Sequence, residues 1–552
     1  MASKLKIISL GGLNEIGKNL TVYEYGDDII VVDCGLGFPD EEMYGVDIVI
    51  PDFSYLVQNQ NKIRAIILTH GHEDHIGGLP FLMREINAPL FTTRLTAGLI
   101  ELKLEEHGLK EKVKITTLEA GEHFKAGCFN IELIHVNHSI ADAVALAIKT
   151  PIGTLIHTGD FKIDATPIEG EMIDLTRLGE IGKEGVLMLL SDSTNVEKPG
   201  YSESEKKVGV RFDALFKDCD KRIIVTTFAS NVHRVQQIIN SAAKNNRKVA
   251  ITGRSMENIM RVAMELGYME VPKDTLIDIN QINTLPKNKL VIITTGSQGE
   301  NMSALYRMAF SGHRQVEINA GDRVIISASA IPGNEKTISR VINELFMKGA
   351  EVIYDRLEEL HVSGHACREE LKMMLALTKP RYFMPLHGEQ RHLRTHAELA
   401  KSMGIDPKNI VIGDIGRIVE VTRKDIKLGG TVQSGKVLVD GTGVGDVGSV
   451  VLRDRRHLAQ DGMVVVVMTL SSEDASLISG PDIVTRGFVY VKESDVLLEE
   501  LKRVTLETLD SCENQHITDW ATIKTKVKTN LSGYLYKTTK RSPMILPVIM
   551  EV

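Results

Sequence analysis

The sequence predicts an α/β protein of several domains, organised around one turn rich in histidine. Three observations carry that expectation. The chain has 552 residues, more than one hydrophobic core can organise, so two to four domains are expected. Its first two hundred residues break into short apolar runs bounded by Gly or Asp, which read as strands. From about Ser204 the pattern becomes a regular alternation of apolar strand and helix, the mark of a parallel, doubly wound module.

The turn lies in residues 65–78, AIILTHGHEDHIGG. A buried strand ends there in three histidines and two acids, followed by paired glycines. Imidazole and carboxylate groups at the end of a core strand are costly to desolvate, and a bound cation offsets that cost best. In the spacing H-x-H-x-D-H, His70 and His72 can converge on one ion while Asp74 and His75 face a second. Nitrogen and oxygen donors without thiolates suit zinc, with manganese as the alternative. A lone histidine is most often a hydrogen-bonded core or surface residue; four such groups in six residues are not.

Taken in order, residues 6–10, 20–25 and 29–33 read as strands opening an antiparallel sheet. Asp33 closes the third, either as a turn acid or as the carboxylate that orients a ligating histidine. Helices are expected at 79–86 and 95–107, then strands at 113–117 and 131–136. The latter places His138 at a strand end, as His70 is. The strand 154–158 places Asp160 likewise, and 187–190 places Asp192. His135 and His157 lie within strands and read as packing residues.

The alternating module has expected strands at 222–227, 248–252, 290–294, 323–327 and 351–354, with helices between. The loops at its strand ends, FASN (228–231), GSQGE (296–300) and SAIPG (329–333), are small and polar, as a ligand-contacting rim would be. HVSGHA (361–366) then precedes a helix, so His365 and the N–H groups of Ser363 and Gly364 could form a phosphate seat at its N-terminus. The strand 381–386 ends in His387. The expected organisation is a metal domain in two parts, 1–204 and 361–428, interrupted by an insertion at 205–360. A Gly-rich linker (429–449) and a small α+β domain (450–552) follow, the latter with a lysine-rich end.

Composition excludes some classes. No apolar run approaches 18 residues and the N-terminus runs straight into a strand, so no membrane segment and a cytoplasmic location are expected. Cys34, Cys128, Cys219, Cys367 and Cys512 include no C-x-x-C pair, which fits reduced thiols and argues against a thiolate metal site. A net charge of -8 argues against a broadly basic surface, yet leaves room for a nucleic-acid substrate in a metal-lined cleft.

This set of residues resembles the metallo-β-lactamase fold, and the insertion with Asp192, His365 and His387 is similar to the β-CASP nucleases. With SLGGLNEIGKN, SGHA, PLHGE and the C-terminal domain included, nearly the whole chain resembles the bacterial ribonuclease J family. The resemblance implies an αββα sandwich carrying a doubly wound β-CASP domain, with a small C-terminal α+β domain. It implies two zinc ions, or manganese: His70, His72 and His138 on the first, Asp74, His75 and His387 on the second, and Asp160 bridging. It places Asp192 and His365 beside the scissile phosphate. Ser230 and Asn231, with His361, Val362, Ser363, Gly364 and His365, would hold phosphate and nucleotide. A structural cation, calcium, would involve Asp47 and Asp440.

The implied activity is a 5′-to-3′ exonuclease preferring 5′-monophosphate RNA, with endonuclease action besides, in RNA maturation and decay. A hydroxide shared by the two metals, hydrogen-bonded to Asp74, would attack phosphorus, and His365 oriented by Asp192 would protonate the leaving 3′ oxygen. Histidine at position 387 matches the members that act on RNA; those acting on DNA tend to have valine. The implied partners are single-stranded RNA and a second copy or paralogue, as homodimer or homotetramer. The rivals are a small-molecule hydrolase, which would not need the insertion, and a noncatalytic RNA scaffold, which would not need an intact ligand set.

Overall fold

The computed structural model describes residues 4–168, 170–296, 303–328, 334–354, 360–489 and 494–552. The expected rim loops at 296–300 and 329–333 fall almost wholly outside these residues. The chain divides into two compact units, one of residues 1–38 and 48–437, the other of 39–47 and 438–552.

In the first unit two sheets lie face to face. One, eight-stranded among the described residues, runs in the order Ile426–Thr431, Arg417–Val421, Leu5–Gly11, Leu20–Tyr25, Asp28–Val32, Ile63–Ile67, Leu90–Thr92, Ile115–Thr117. The other has six, in the order Tyr382–Leu386, Val186–Asp192, Gly153–His157, Val144–Thr150, Phe129–His135, His123–Ala126. Alternation along each strand decides which side chains meet. In Val144–Thr150, the large Val144, Leu146 and Ile148 enter the core between the sheets with Ile7, Tyr23 and Ile30. The small Ala145 and Ala147 face outward, where helices Leu175–Glu184, Arg368–Thr378 and Gln390–Ser402 pack through Leu178, Leu371, Met374 and Leu399. Alanine on that face lets a helix approach closely, and the order of layers is that of an αββα sandwich.

The third sheet is all parallel: Leu276–Ile277, Lys248–Thr252, Leu290–Thr294, Ile223–Thr226, Arg323–Ile326, Glu351–Tyr354. Its central strands Ile223–Thr226 and Leu290–Thr294 are buried throughout, as in parallel sheets covered on both faces. It interrupts the sandwich between Asp192 and Tyr382, as the alternation predicts. After it the chain returns to pair Arg417–Val421 with Leu5–Gly11, and Ile426–Thr431 extends that sheet into the stretch expected to be a linker.

In the second unit, Met463–Leu470 pairs antiparallel with Leu477–Arg486 and parallel with Met544–Glu551, under helices Asp495–Asn514 and Trp520–Thr539. The helix Ser449–Asp461 and the strand Met544–Glu551 were not anticipated. The helix has no buried residue, so its apolar periodicity is weak. No described helix is long and apolar enough to cross a membrane.

One buried histidine ties stability to pH. His396, fully buried against the edge of Phe383, contacts the Ser193 hydroxyl at 3.0 Å through Nδ1. Burial pushes its pKa down from 6.5 to about 3. The unfolded chain therefore takes up this proton first as pH falls, and stability drops between pH 6.5 and about 3 by up to about 1.4 kcal/mol per pH unit. The melting temperature should fall more steeply from pH 7 to pH 5 in the native protein than in His396→Asn. Parallel curves would remove this ring from the account.

Candidate metal centre

The topology brings the strand-end residues together. Gly153–His157, Val186–Asp192 and Tyr382–Leu386 run parallel, so their C-terminal ends share one edge, and Asp160, Asp192 and His387 follow from or end those strands. Phe129–His135, two antiparallel steps away, points the same way and delivers His138. From the facing sheet Ile63–Ile67 delivers His70, and His72 begins the short helix Glu73–Ile76 that carries Asp74 and His75.

Among the described residues three groups of ligand atoms result, each within 4.8 Å: His70, His72 and His138; Asp74, His75, Asp160 and His387; and, overlapping the second, Asp160, Asp192, His365 and His387. In the first, His72 Nδ1 lies 3.0 Å from His70 Nε2 and 3.1 Å from His138 Nε2. In the second, Asp160 reaches His75 Nε2 at 3.1 Å and His387 Nδ1 at 2.8 Å, while Asp74 lies 3.4 Å from His387 Nε2. Asp160 Oδ2 is also 3.7 Å from His70 and 3.8 Å from His138, so this carboxylate spans both groups.

The rings are held from behind. His75 Nδ1 meets Asp33 at 2.8 Å, His70 Nδ1 the Thr69 hydroxyl at 3.0 Å, and His138 Nδ1 donates to the Gly364 carbonyl at 2.7 Å. Each contact orients a ring and turns its other nitrogen inward. Asp33 thus takes the orienting role; its other oxygen accepts from the Thr69 N–H at 2.8 Å. Asp33 and His387 both adopt left-handed backbone, at φ 62 and φ 49. Such conformations cost about 1 to 3 kcal/mol in a residue with a side chain and persist where the surroundings over-determine them.

The electrostatics fit cations. Burial pushes His70 and His138 well below the usual imidazole range and His72 down to about 4, so all three stay neutral donors. His72 Nδ1 stands about 3 Å from each of two other ring nitrogens, and bare nitrogens so close repel unless a positive charge sits among them. Burial also opposes charge on His75 and His387, but the surrounding carboxylates together outweigh it and raise both: Asp160 with Asp74 and Asp33 for His75, and Asp160 with Asp74 and Asp192 for His387, which rises to about 10. Asp160 is correspondingly held well below the usual carboxylate range. His387 Nε2 is buried and makes no hydrogen bond, with only the Asp74 carboxylate near it at 3.4 Å. A buried ring nitrogen without a hydrogen bond, converging imidazoles and a spanning carboxylate, with no thiolate, suit two divalent ions.

Beside this lies a second constellation. His365 Nδ1 meets Asp192 at 2.8 Å, and Asp192 is fixed by the Thr194 N–H (2.9 Å) and hydroxyl (2.7 Å). Burial lowers the His365 pKa, but Asp192 and Asp160 outweigh it and raise it above 6.5. The turn bearing His365 packs tightly: a Cβ on Gly364 would come within 2.7 Å of the His138 ring. The helix after it starts at Arg368 with Cys367 as its N-cap, and its first N–H groups are not free: Arg368 N donates to the Lys198 carbonyl at 3.0 Å and Glu369 N to the Gly200 carbonyl at 3.1 Å. The buried Glu370 accepts from Cys367 N at 2.8 Å, from Ser202 and from Ile163. A phosphate seat here would be made by the turn itself, with the Ser363 hydroxyl held 2.7 Å from Asn195. Of the other expected contacts, Asn231 caps its helix through Oδ1 to the Arg234 N–H at 3.0 Å, leaving a buried Nδ2 without a partner, and Ser230 is half-buried.

Sequence reasoning passed over Asn19, whose amide lies 3.0 Å from His75 Nε2 and donates to the Asp74 carbonyl at 3.2 Å, and over Asn195. Asn19 stands in GLNEIGKN, and Asn195 three residues after Asp192. An asparagine in a loop carries no periodic signal. Asp47 and Asp440 lie together in the second unit, but Asp47 accepts from the Gly441 N–H at 2.7 Å and Asp440 pairs with Arg455 at 2.6 Å.

Residues 13–175 match the metallo-β-lactamase superfamily, 220–345 the ribonuclease J β-CASP domain, 350–411 a Zn-dependent metallo-hydrolase RNA specificity domain, and 450–552 the ribonuclease J C-terminal domain. Ribonuclease J2 of Bacillus subtilis is 42% identical over 549 residues, which cover 99% of each chain. The chain belongs to the ribonuclease J family. Ribonuclease J of Thermus thermophilus is 45% identical over 99% of this chain and 95% of its own, and that of Helicobacter pylori 44% over 99% and 79%. Among solved structures, an Enterococcus faecalis V583 protein of unknown function superposes with a TM-score of 0.53 at 17% identity, covering 76% of this chain and 100% of its own, which shows the fold alone. As a ribonuclease J family member the chain is a metal-dependent ribonuclease, a hydrolase with a metallo-β-lactamase core and a β-CASP domain.

Proposed function

We propose that this ribonuclease digests single-stranded RNA from a 5′-monophosphate end and also cuts internally, in RNA maturation and decay. The observation that supports this best is the placement of the 361–365 turn, whose Gly364 carbonyl holds His138 at 2.7 Å while its His365 pairs with Asp192. A phosphate held by Ser363 and the turn would sit beside the metal ligands, and each cut would present a fresh 5′ monophosphate to the same place.

His70, His72 and His138 would hold one ion, and Asp74, His75 and His387 the other, with Asp160 between them. Zinc is the favoured metal and manganese the alternative. Two divalent ions so held supply a nucleophilic water at neutral pH and neutralise the phosphate oxygens. Asp74 accepts a hydrogen bond from the attacking water and aims it. Protonated His365, kept oriented by Asp192, donates to the departing 3′ oxygen, leaving a 5′ phosphate on the product. Ser230, Asn231, His361 and Val362 line the approach. A structural calcium at Asp47 and Asp440 would compete with Arg455 for the Asp440 carboxylate. A cytoplasmic homodimer or homotetramer, with itself or a paralogue, completes the reading.

The test is mononucleotide release from RNAs of one sequence bearing 5′-monophosphate, 5′-hydroxyl or 5′-triphosphate ends. A hydrogen bond to a charged oxygen is worth about 1.5 to 3 kcal/mol, so the monophosphate should be favoured about 10- to 100-fold over hydroxyl. Triphosphate should block exonucleolytic entry but not internal cleavage. Equal rates for all three ends would leave an endonuclease without end sensing.

A further inference from the structure

Arg234 is a guanidinium with no solvent exposure, on the insertion's helix Val232–Lys244 directly after the FASN loop. Burying that charge is costly unless every N–H finds an acceptor. Each of its five does. Nε donates to Glu205 Oε1 at 2.6 Å and Nη2 to Glu205 Oε2 at 2.9 Å. Nη1 donates to the Ser327 carbonyl at 2.9 Å and to His361 Nδ1 at 3.1 Å, and the second Nη2 hydrogen faces the Val362 carbonyl at 3.5 Å. Ser327 in turn donates its hydroxyl to the Leu360 carbonyl at 2.6 Å. One cation therefore ties together the chain where it enters the insertion (Glu205), a strand end within it (Ser327) and the chain where it leaves (360–362).

The bond to His361 has a chemical consequence. Arginine has no lone pair to offer, so it can only donate. His361 Nδ1 must then be the bare nitrogen, and the ring proton is assigned to Nε2. Nε2 has no partner among the described residues, and the half-buried ring stands 5.9 Å from Phe228 of the FASN loop. The ring also remains neutral: burial, reinforced by Arg234, holds its pKa well below the imidazole range. A neutral ring with a free N–H donates to a phosphate or sugar oxygen, whereas the opposite tautomer would turn a lone pair toward that anion and repel it.

From this geometry we infer that Arg234 is a positioning residue for substrate: it locks His361 as the Nε2–H tautomer, so that the 361–365 turn presents a hydrogen-bond donor to the RNA 5′ phosphate. This rests on the 5′-phosphate reading above. Lysine at 234 keeps the charge but cannot serve the same acceptors from a planar fork.

Two measurements test it. In protein with 15N-labelled histidine, the His361 signals, identified by their loss in His361→Gln, should show an unprotonated Nδ1 and a protonated Nε2. A protonated Nδ1 overturns the inference, and this readout needs neither turnover nor an Arg234 variant. Kinetically, Arg234→Lys should lower the preference for 5′-monophosphate over 5′-hydroxyl RNA, as the ratio of kcat/KM values, by about tenfold, mostly through KM. Glutamine at 361 places an amide N–H near the position of Nε2, so in His361→Gln the added Arg234→Lys should change that ratio by less than twofold. Independent, multiplying losses overturn the inference, as does an unchanged ratio in the single Arg234→Lys variant. If the native enzyme itself shows no preference between the two ends, the 5′-phosphate reading fails, whatever the tautomer.

Discussion

Replacing His72 by alanine is expected to lower RNA cleavage by about 10³-fold or more at trace metal. His72 Nδ1 is the atom on which His70 Nε2 and His138 Nε2 converge, at 3.0 and 3.1 Å. Without it the first ion would keep two imidazoles and the edge of Asp160, too few for tight tetrahedral binding. The fold should survive, since His72 contributes no apolar packing and the other rings keep their partners Asp33, Thr69 and Gly364. Metal content by elemental analysis should fall toward one ion per chain while the melting temperature of the metal-stripped protein stays within a few degrees of native. Native turnover in this variant, with native metal content, would sink the ligand assignment. Raising metal concentration should recover part of the rate, because the site is weakened and not erased.

His365→Ala is expected to slow cleavage by about 10²- to 10⁴-fold, the usual worth of a positioned general acid. Asp192→Asn should approach it, because the amide keeps the shape but loses the charge that orients and protonates the ring at 2.8 Å. Metal content should be native in both, since the hydrogen bonds that orient the His75, His70 and His138 rings come from Asp33, Thr69 and the Gly364 carbonyl and not from the His365 side chain. The decisive substrate carries sulfur in place of the bridging 3′ oxygen. Thiolate leaves without a proton, so His365→Ala should cleave it within about tenfold of the native rate. An undiminished defect on that substrate would assign His365 to positioning or binding instead.

The local grammar of the sequence accounts for much of the site. An apolar strand that ends in H-x-H-x-D-H carries its own reading, because six consecutive residues contain four ligands and no local fold would otherwise bury them. The same holds for the apolar runs ending in His138, Asp160, Asp192 and His387, and for the alternation that makes 223–354 a parallel sheet. These features depend on chain periodicity, which is written residue by residue. The weakest stretches were those where periodicity is weak or unshared: the helix Ser449–Asp461 without a buried face, and the start of the helix at Arg368, set by where Glu370 folds back onto Cys367 N.

By itself, then, the sequence determined that this is a multi-domain α/β protein with a turn dense in metal-ligand residue types, an insertion after Asp192, and a strand-end histidine or acid at each later position. Only the tertiary structure decided what each of those groups does. Asp160 spans both ligand groups because Gly153–His157 lies next to Val186–Asp192 and Val144–Thr150 in the sheet. Asp33 orients His75 across 42 residues, Gly364 orients His138 across 226, and Arg234 joins Glu205 to His361. The physical reason is that a ligand's identity is a property of one residue, while its tautomer, charge and aim belong to the partner behind it. That partner is chosen by which strands are neighbours and in what register, and no local spacing records it.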